Sequence, residues 1–271
     1  MNATNVKLEV KSVSKSFVSP RLGKQVEALR DISFEVKPHE FVSIVGPSGC
    51  GKSTLLSIVA GLETPTKGQV IFDNKVVKEP GREIGMMFQD YALFPWHTVR
   101  GNVEFGPVAC GLNKNEQAEI SARLIELVGL RDFENSYPHE LSGGMKQRCA
   151  LARMLANDPK VWLMDEPLAA VDLQTRIILQ EELLRLWGDY ESLDQRRPVL
   201  FVTHGIEEAV FLSDRVLVLG HRPGQIKEQV KVNIPRPRSN QRNTKVMLEQ
   251  VKYIWDLLRT EAEEALLEKA P

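Results

Sequence analysis

The stretch "FVSIVGPSGCGKSTLLSIVAGL", residues 41–62, sets how this chain folds. "FVSIV" is a compact apolar run that breaks into glycines, as a buried central strand does. "LLSIVAGL" reads as a helix that ends near Gly61. Between them Gly46, Pro47, Ser48, Gly49, Cys50, Gly51, Lys52, Ser53 and Thr54 fit G-x-x-x-x-G-K-[ST], in the strand–loop–helix context that the motif needs. The physics is that of an anion nest. Glycines let successive N–H groups converge on phosphates, and the helix N-terminus adds its partial positive charge. Lys52 is placed to reach the β- and γ-phosphates of a nucleotide, and Ser53 to offer a hydroxyl to Mg²⁺.

On the N-terminal side, "LEVKSVSKSF" and "DISFEV" alternate at period two, and "GQVIFDNKVV" reads as strand, Asp-Asn turn, strand. These predict an antiparallel β subdomain. From residue 160 onward strands and helices alternate: "VWLMDEP", "LQTRIILQEELLRLWGDY", "PVLFVTHG", "IEEAVFLSD", "RVLVLG". That alternation predicts a parallel core sheet with crossover helices, so the fold class is α/β. The middle, about 90–156, is helical. There "NEQAEISARLIELVGL" sets Ala118, Ala122, Ile125 and Val128 at helical spacing, with a stop at Gly129. Residues 233–243, "NIPRPRSNQRN", read as a linker, and Met247, Val251, Ile254 and Leu258 form one apolar helical face beyond it. The expected organisation is an ATPase-type domain over 6–232, a linker over 233–243 and a helical extension over 244–271.

Composition narrows the function classes. The 271 residues are 42% hydrophobic and 26% charged, an ordinary globular mixture, with a net charge of −1. No bulk basicity calls for nucleic acid or an anionic membrane surface. Cys50, Cys110 and Cys149 are too scattered for a disulfide framework or a zinc pattern, which favours reduced thiols in a cytosolic compartment. The N-terminus lacks the apolar stretch of a signal peptide, and no apolar run approaches the roughly 18 residues of a spanning helix. A soluble chain is expected; if it works at a membrane, another chain supplies the membrane part.

Two further stretches carry chemistry. "VWLMDEP" ends an apolar strand in Asp165-Glu166, where an aspartate helps hold Mg²⁺ and a neighbouring glutamate can polarise the attacking water. "LSGGMKQR", residues 141–148, raises a question. Gly143 and Gly144 sit where the helix "CALARMLANDP" should begin, behind the cap-type Ser142, although glycine costs a helix about 1 kcal/mol against alanine. A chain with one complete phosphate loop has no internal use for a second bare helix start. The economical reading is that Ser142, Gly143 and Gly144 serve another molecule's nucleotide.

"LSGGMKQR" resembles the signature motif of ATP-binding cassette (ABC) proteins, and the other motifs follow in that family's order over about 10–225. These are the phosphate loop, a glutamine loop in "FQDYALFPW" with Gln89, the signature, "VWLMDEP", a D-loop, and a switch histidine, His204, in "FVTHG". The resemblance implies head-to-tail dimers with ATP between the phosphate loop of one copy and the signature helix of the other. It implies Glu166 as catalytic base, Gln89 sensing Mg²⁺ and the attacking water, and His204 at the γ-phosphate. Phe17 sits where the family stacks an aromatic on adenine; core packing is the alternative for that ring. Two positions depart from the pattern. The D-loop reads Ala169-Ala170-Val171-Asp172, without its usual serine, and Gly205 follows the histidine where aspartate is common.

The resemblance divides into two classes: the ATPase subunit of a membrane importer, and a soluble cassette ATPase of DNA repair or translation. A single cassette without zinc cysteines or net basicity favours the importer. The implied partners are then integral membrane permease subunits, a second copy of the chain and, indirectly, a substrate-binding protein, with no nucleic acid. The implied place is the cytoplasmic face of the cell membrane, as in a bacterial inner membrane. Tyr91, Leu93, Phe94 and Trp96 would offer a permease element an aromatic docking groove, or would fill the core. "LFPW" and "IPRPR" resemble the nitrate/sulfonate/taurine branch of importers, which take up small anions.

Overall fold

The computed structural model describes residues 8–18, 23–169, 171–188, 196–238, 241–242 and 244–267, the last eight as helix backbone only. In chain order the early elements are β1 (Leu8–Val18), β2 (Gln25–Val36), β3 (Phe41–Val45), α1 (Lys52–Val59), β4 (Lys67–Phe72) and β5 (Lys75–Val76). Then come β6 (Ile84–Met87), α2 (Val99–Ala109), α3 (Lys114–Leu127), α4 (Gly143–Leu155), β7 (Val161–Asp165) and α5 (Leu173–Trp187). The last are β8 (Val199–Val202), α6 (Ile206–Leu212), β9 (Arg215–Leu219), β10 (Ile226–Lys231) and α7 (Lys245–Leu267). The chain divides into two compact units, Met1–Gly81 with Gln180–Pro271, and Arg82–Leu179.

The first unit holds two sheet systems. One is the antiparallel sheet β2-β1-β4-β5. Its β4–β5 hairpin turns on Asp73 and Asn74, both at positive φ (46° and 62°), as a tight hairpin turn requires. In the other, β3 pairs in parallel with β8 and β9, and β10 closes against β9 antiparallel. All five residues of β3 and all four of β8 are buried, which explains why β8 reads as an unbroken apolar run and β3 as one broken only by Ser43, whose hydroxyl is paired with that of Ser213. Phe41 packs edge-on against Trp187 (5.4 Å between centroids) and leans on Phe201, and the Trp187 indole donates to the Arg197 carbonyl (2.6 Å). Met247 and Ile254 of α7 are buried, and Val251 and Leu258 are half-buried on the same helix, which packs along α6 and β9.

In the second unit β6 and β7 pair in parallel, with Ile84 opposite Val161 and Met87 opposite Met164. Helices α2, α3 and α4 enclose a core that includes Val99, Val103, Leu124, Ile125, Val128 and Cys149. A reciprocal capping box, Asn113 with Glu116, starts α3, and Gly129 at φ +64° follows its end. The buried face of α3 is the expected one at Ile125 and Val128 but not at the two alanines. Ala118 and Ala122 are exposed, and Ser121, Leu124, Ile125 and Val128 face inward. Larger leucine and isoleucine side chains gain more from burial, and the helix rotates to them.

Among the described residues no helix is long and apolar enough to cross a membrane.

Candidate functional site

The phosphate loop belongs to the first unit and is built by close approach. Gly51 is the N-cap of α1 at φ 101°, and a Cβ there would press on the Leu29 side chain (2.7 Å) and the Ala28 carbonyl (2.9 Å). From beyond the motif, Gly224 lies so close that a Cβ on it would overlap the carbonyl oxygen of Cys50. Gly224 is tied down on both sides, donating to Ala28 O (2.9 Å) and accepting from Arg30 N (3.0 Å). It is a supporting residue that motif reading missed, because its role comes from a contact across the chain. Lys52 is buried, and its ammonium donates to the loop carbonyls of Gly46 (2.8 Å) and Pro47 (3.0 Å). Ser48, Gly49 and Ser53 are exposed on the outer side of the same loop. Burial pushes the Cys50 thiol up, with the Lys52 charge pulling the other way.

Phe17 lies on β1 opposite Val26 and is 38% exposed, so it is not a core ring. The Lys15 ammonium sits 4.9 Å from its centroid. His204 stands between β8 and α6, exposed, while its neighbour Thr203 is buried.

Gln89, Asp165 and Glu166 belong to the second unit, and register brings two of them together. Because Met87 faces Met164 in a parallel pair, Gln89 and Glu166 each lie two residues past the same rung. Gln89 Nε2 donates to Glu166 Oε2 at 3.3 Å. Asp165 is the buried last residue of β7, and Glu166 follows in the left-handed region at φ 47°, a conformation that disfavours any side chain. Strand C-termini are where α/β sheets place their chemistry.

The signature stretch forms the start of α4. Ser142 is the N-cap, its hydroxyl accepts from Met145 N (3.3 Å), and Gly143 and Gly144 are the first helical residues. A Cβ on Gly144 would meet only ordinary contacts, Thr175 Cγ2 at 3.4 Å and Val171 Cγ1 at 3.9 Å. Packing within the chain therefore does not demand this glycine. Of the D-loop, Ala170 lies outside the described residues; Asp172 accepts from Thr175 N (3.0 Å) near the start of α5, and these hydrogen bonds hold its carboxyl below the usual range.

The aromatic segment after Gln89 splits between the two expected fates. Tyr91 is buried and Leu93 packs against the helical core, whereas Trp96 is 68% exposed beside Phe94 (5.7 Å between centroids). Phe105 of α2, 47% exposed, extends this outer cluster at 4.5 Å from Phe94. Two polar side chains hold the segment. The fully buried Asn102 of α2 accepts from Phe94 N (2.9 Å) and donates towards the carbonyls of Phe94, His97 and Thr98 (3.2, 3.1 and 3.0 Å). Arg153 of α4 donates to Ala92 O (2.5 Å) and Tyr91 O (2.7 Å), both residues being at positive φ. The signature helix thus carries the clamp of the glutamine-loop segment.

Over residues 29–169 the chain matches the ABC transporter family. It belongs to the ABC transporter ATP-binding proteins. An uncharacterized ABC transporter ATP-binding protein of Methanocaldococcus jannaschii is 51% identical over 96% of this chain and 94% of its own length. The nitrate import ATP-binding protein NrtD of Synechocystis sp. is 45% identical over 87% of this chain and 86% of that one. The taurine import ATP-binding protein TauB of Roseobacter denitrificans is 44% identical over 83% and 82%. Among solved structures, a dimeric ATP-binding cassette in a post-hydrolysis state bound to ADP and Pi is similar at TM-score 0.73 and 32% identity, covering 84% of this chain and 99% of that one. The cassette described here is accordingly an α/β ATPase subunit of an ABC transporter that binds ATP.

Proposed function

We propose that this cassette powers an importer of small anions of the nitrate or taurine type, hydrolysing ATP as a head-to-tail dimer. Relatives named for nitrate and taurine import support the substrate class. The hydrolytic reading is carried by one observation, the Gln89–Glu166 pair set at aligned strand ends by the β6–β7 register. Glu166 takes the proton of the attacking water, and Gln89 orients the carboxylate that does so. Lys52 neutralises the β- and γ-phosphates on the loop formed by Gly46 to Thr54, His204 contacts the γ-phosphate, and Phe17 stacks on adenine. Ser142, Gly143 and Gly144 close on the nucleotide of the second copy, where bare N–H groups at a helix start suit an anion. Once hydrolysis removes the γ-phosphate, that contact loses its anion and the dimer opens.

Ser53, Gln89 and Asp165 would hold Mg²⁺. Hydroxyl, amide and carboxylate oxygens suit that hard cation, and no cluster of three or more His, Cys, Asp or Glu among the described residues offers an all-protein cage. The chemistry supplied there would be positive charge that offsets the charge of the phosphates. We take residues 6–232 as the ATPase domain, with its helical part near 90–156, and residues 244–271 as an extension. The outer cluster of Phe94, Trp96 and Phe105 is the docking surface for a membrane permease, so the chain sits peripherally on the cytoplasmic face. A substrate-binding protein completes the importer. A soluble repair or translation ATPase has no observation in its favour.

The test is tagged Glu166→Gln protein recovered from its native cells in mild detergent with ATP. Expected are an ATP-dependent dimer, turnover reduced about 10²–10⁴-fold as for loss of a general base, and an integral membrane permease in the eluate. An unchanged ATPase rate overturns the assignment of Glu166. Repair or ribosomal proteins without a permease overturn the importer.

A further inference from the structure

The segment beyond β10 reads from sequence as a plain linker, yet three of its arginines are committed to α6, the helix that follows His204. At the C-terminal end of α6, Arg238 is 1% exposed and donates to the carbonyls of Val210 (3.0 Å), Phe211 (3.1 Å) and Ser213 (2.6 Å), and back to Ile234 (3.1 Å). Arg236 donates to Leu212 O (2.6 Å) and Asp214 Oδ1 (2.8 Å). Cations here complement the last carbonyls of the helix, which have no partner within it.

The N-terminal end of α6 is reached through side chains. Arg242 donates to Gln180 Oε1 (2.8 Å), and Gln180 Nε2 donates to Glu208 Oε1 (2.8 Å). The second oxygen of Glu208 accepts the Thr203 hydroxyl, which in turn accepts from Gly205 N (3.0 Å). His204 is therefore bracketed by one hydroxyl bonded two residues on. Gly205, the N-cap of α6, makes no side-chain cap, and the Thr203–Glu208 pair holds the helix start in its place. Thr203, Gln180 and Glu208 are all buried. An amide has one accepting and one donating end; that of Gln180 faces a guanidinium with the first and a carboxylate with the second. The guanidinium is itself fixed, 3.6 Å over the Phe211 ring and 3.6 Å from Glu181 Oε1.

We propose that Arg242, Gln180, Glu208 and Thr203 form a positioning relay through which the segment following the ATPase domain sets the placement of His204. The proposal rests on the reading of His204 at the γ-phosphate given above. None of the four is a catalytic residue; they act through the histidine loop.

The test uses the full-length chain with ATP and Mg²⁺, and two readouts. Gln180→Leu removes both amide bonds at similar size, and Arg242→Ala, at the less buried end, serves where Gln180→Leu fails to fold. The expected result is kcat lowered three- to tenfold with KM for ATP within twofold, and no further loss when either variant is combined with His204→Ala. Arg242→Lys, which keeps a charged donor, should recover at least half of the Arg242→Ala loss. Without nucleotide, amide exchange at His204 and Gly205 should quicken about tenfold in Gln180→Leu. Losses that multiply with that of His204→Ala, or unchanged exchange at Gly205, overturn the relay. If exchange quickens as expected but His204→Ala leaves kcat unchanged, the relay stands as a loop-positioning device and the γ-phosphate reading of His204 is overturned.

Discussion

Asn102 offers a quantitative check on how the glutamine-loop segment is held. Replacing it with leucine keeps the shape and removes every polar contact. The Phe94 carbonyl still accepts from His97 N (3.1 Å), and the Thr98 carbonyl from the amide of residue 102 (2.9 Å). The Phe94 N–H and the His97 carbonyl lose the partner that Asn102 gives them. At about 1–3 kcal/mol for each stranded group, with the segment partly open to water, the loss is about 3 kcal/mol. Amide exchange over residues 94–98 should then quicken about 100-fold, since each 1.4 kcal/mol is a factor of ten. Asn102→Asp sharpens the test. Its carboxylate would face the carbonyl oxygens of Phe94, His97 and Thr98 in a fully buried site. Both the burial and those oxygens raise its folded pKa above the unfolded value of about 3.9. The folded state then binds the proton more tightly, so stability is retained at low pH and lost as pH rises towards the folded pKa. Aspartate should therefore open more than leucine at pH 8 and less than leucine near pH 4, where the protonated acid can both accept from Phe94 N and donate to a carbonyl. Equal exchange of the two variants at pH 8, or leucine within threefold of the parent, would refute this account.

Gly224→Ala should weaken ATP binding about tenfold by titration calorimetry, because the new methyl must displace the Cys50 carbonyl and overpacking costs about 1–3 kcal/mol; an unchanged Kd would mean that the loop shifts freely. Iodoacetamide at pH 8 should label Cys110, which is exposed, while Cys50 and Cys149 resist, being buried, with the Cys149 thiol pushed up to about 12. Mass spectrometry of intact protein should find one adduct, and rapid addition of a second would contradict the burial. Arg153→Ala should release the carbonyls of Tyr91 and Ala92 and lower permease-stimulated ATPase in reconstituted vesicles at least threefold; full stimulation would show that Asn102 alone holds the segment.

What could be read in the sequence was local. The run from Phe41 into the phosphate loop and α1 is legible because strand, glycines and helix start are neighbours in the chain. The start of α4 is legible because Ser142 precedes two glycines that helix chemistry alone disfavours. Strand β6 leaves no mark in the sequence: four residues with a glycine carry no period, and it exists through its pairing with β7. The polar β10 escaped for the same reason, as an antiparallel edge to β9. On α3 the sequence marks Ile125 and Val128 correctly, but Ala118 and Ala122 mislead because alanines fit a helical period whichever way they point. Arg238 lies in a stretch that reads only as a linker, although its guanidinium is consumed by carbonyls distant in sequence. Gly224, Asn102 and Gln180 act only through tertiary contacts, and no motif marks them.

The left-handed backbone of Glu166 sets two selections against each other. Glycine would relax that conformation, worth about 1 kcal/mol to the fold, and would abolish any carboxylate chemistry at the strand end. A library screened for thermal resistance should accumulate glycine at this position, and one screened for turnover should never do so. The carboxylate proposed as the base thus stands at a site where folding alone favours having no side chain.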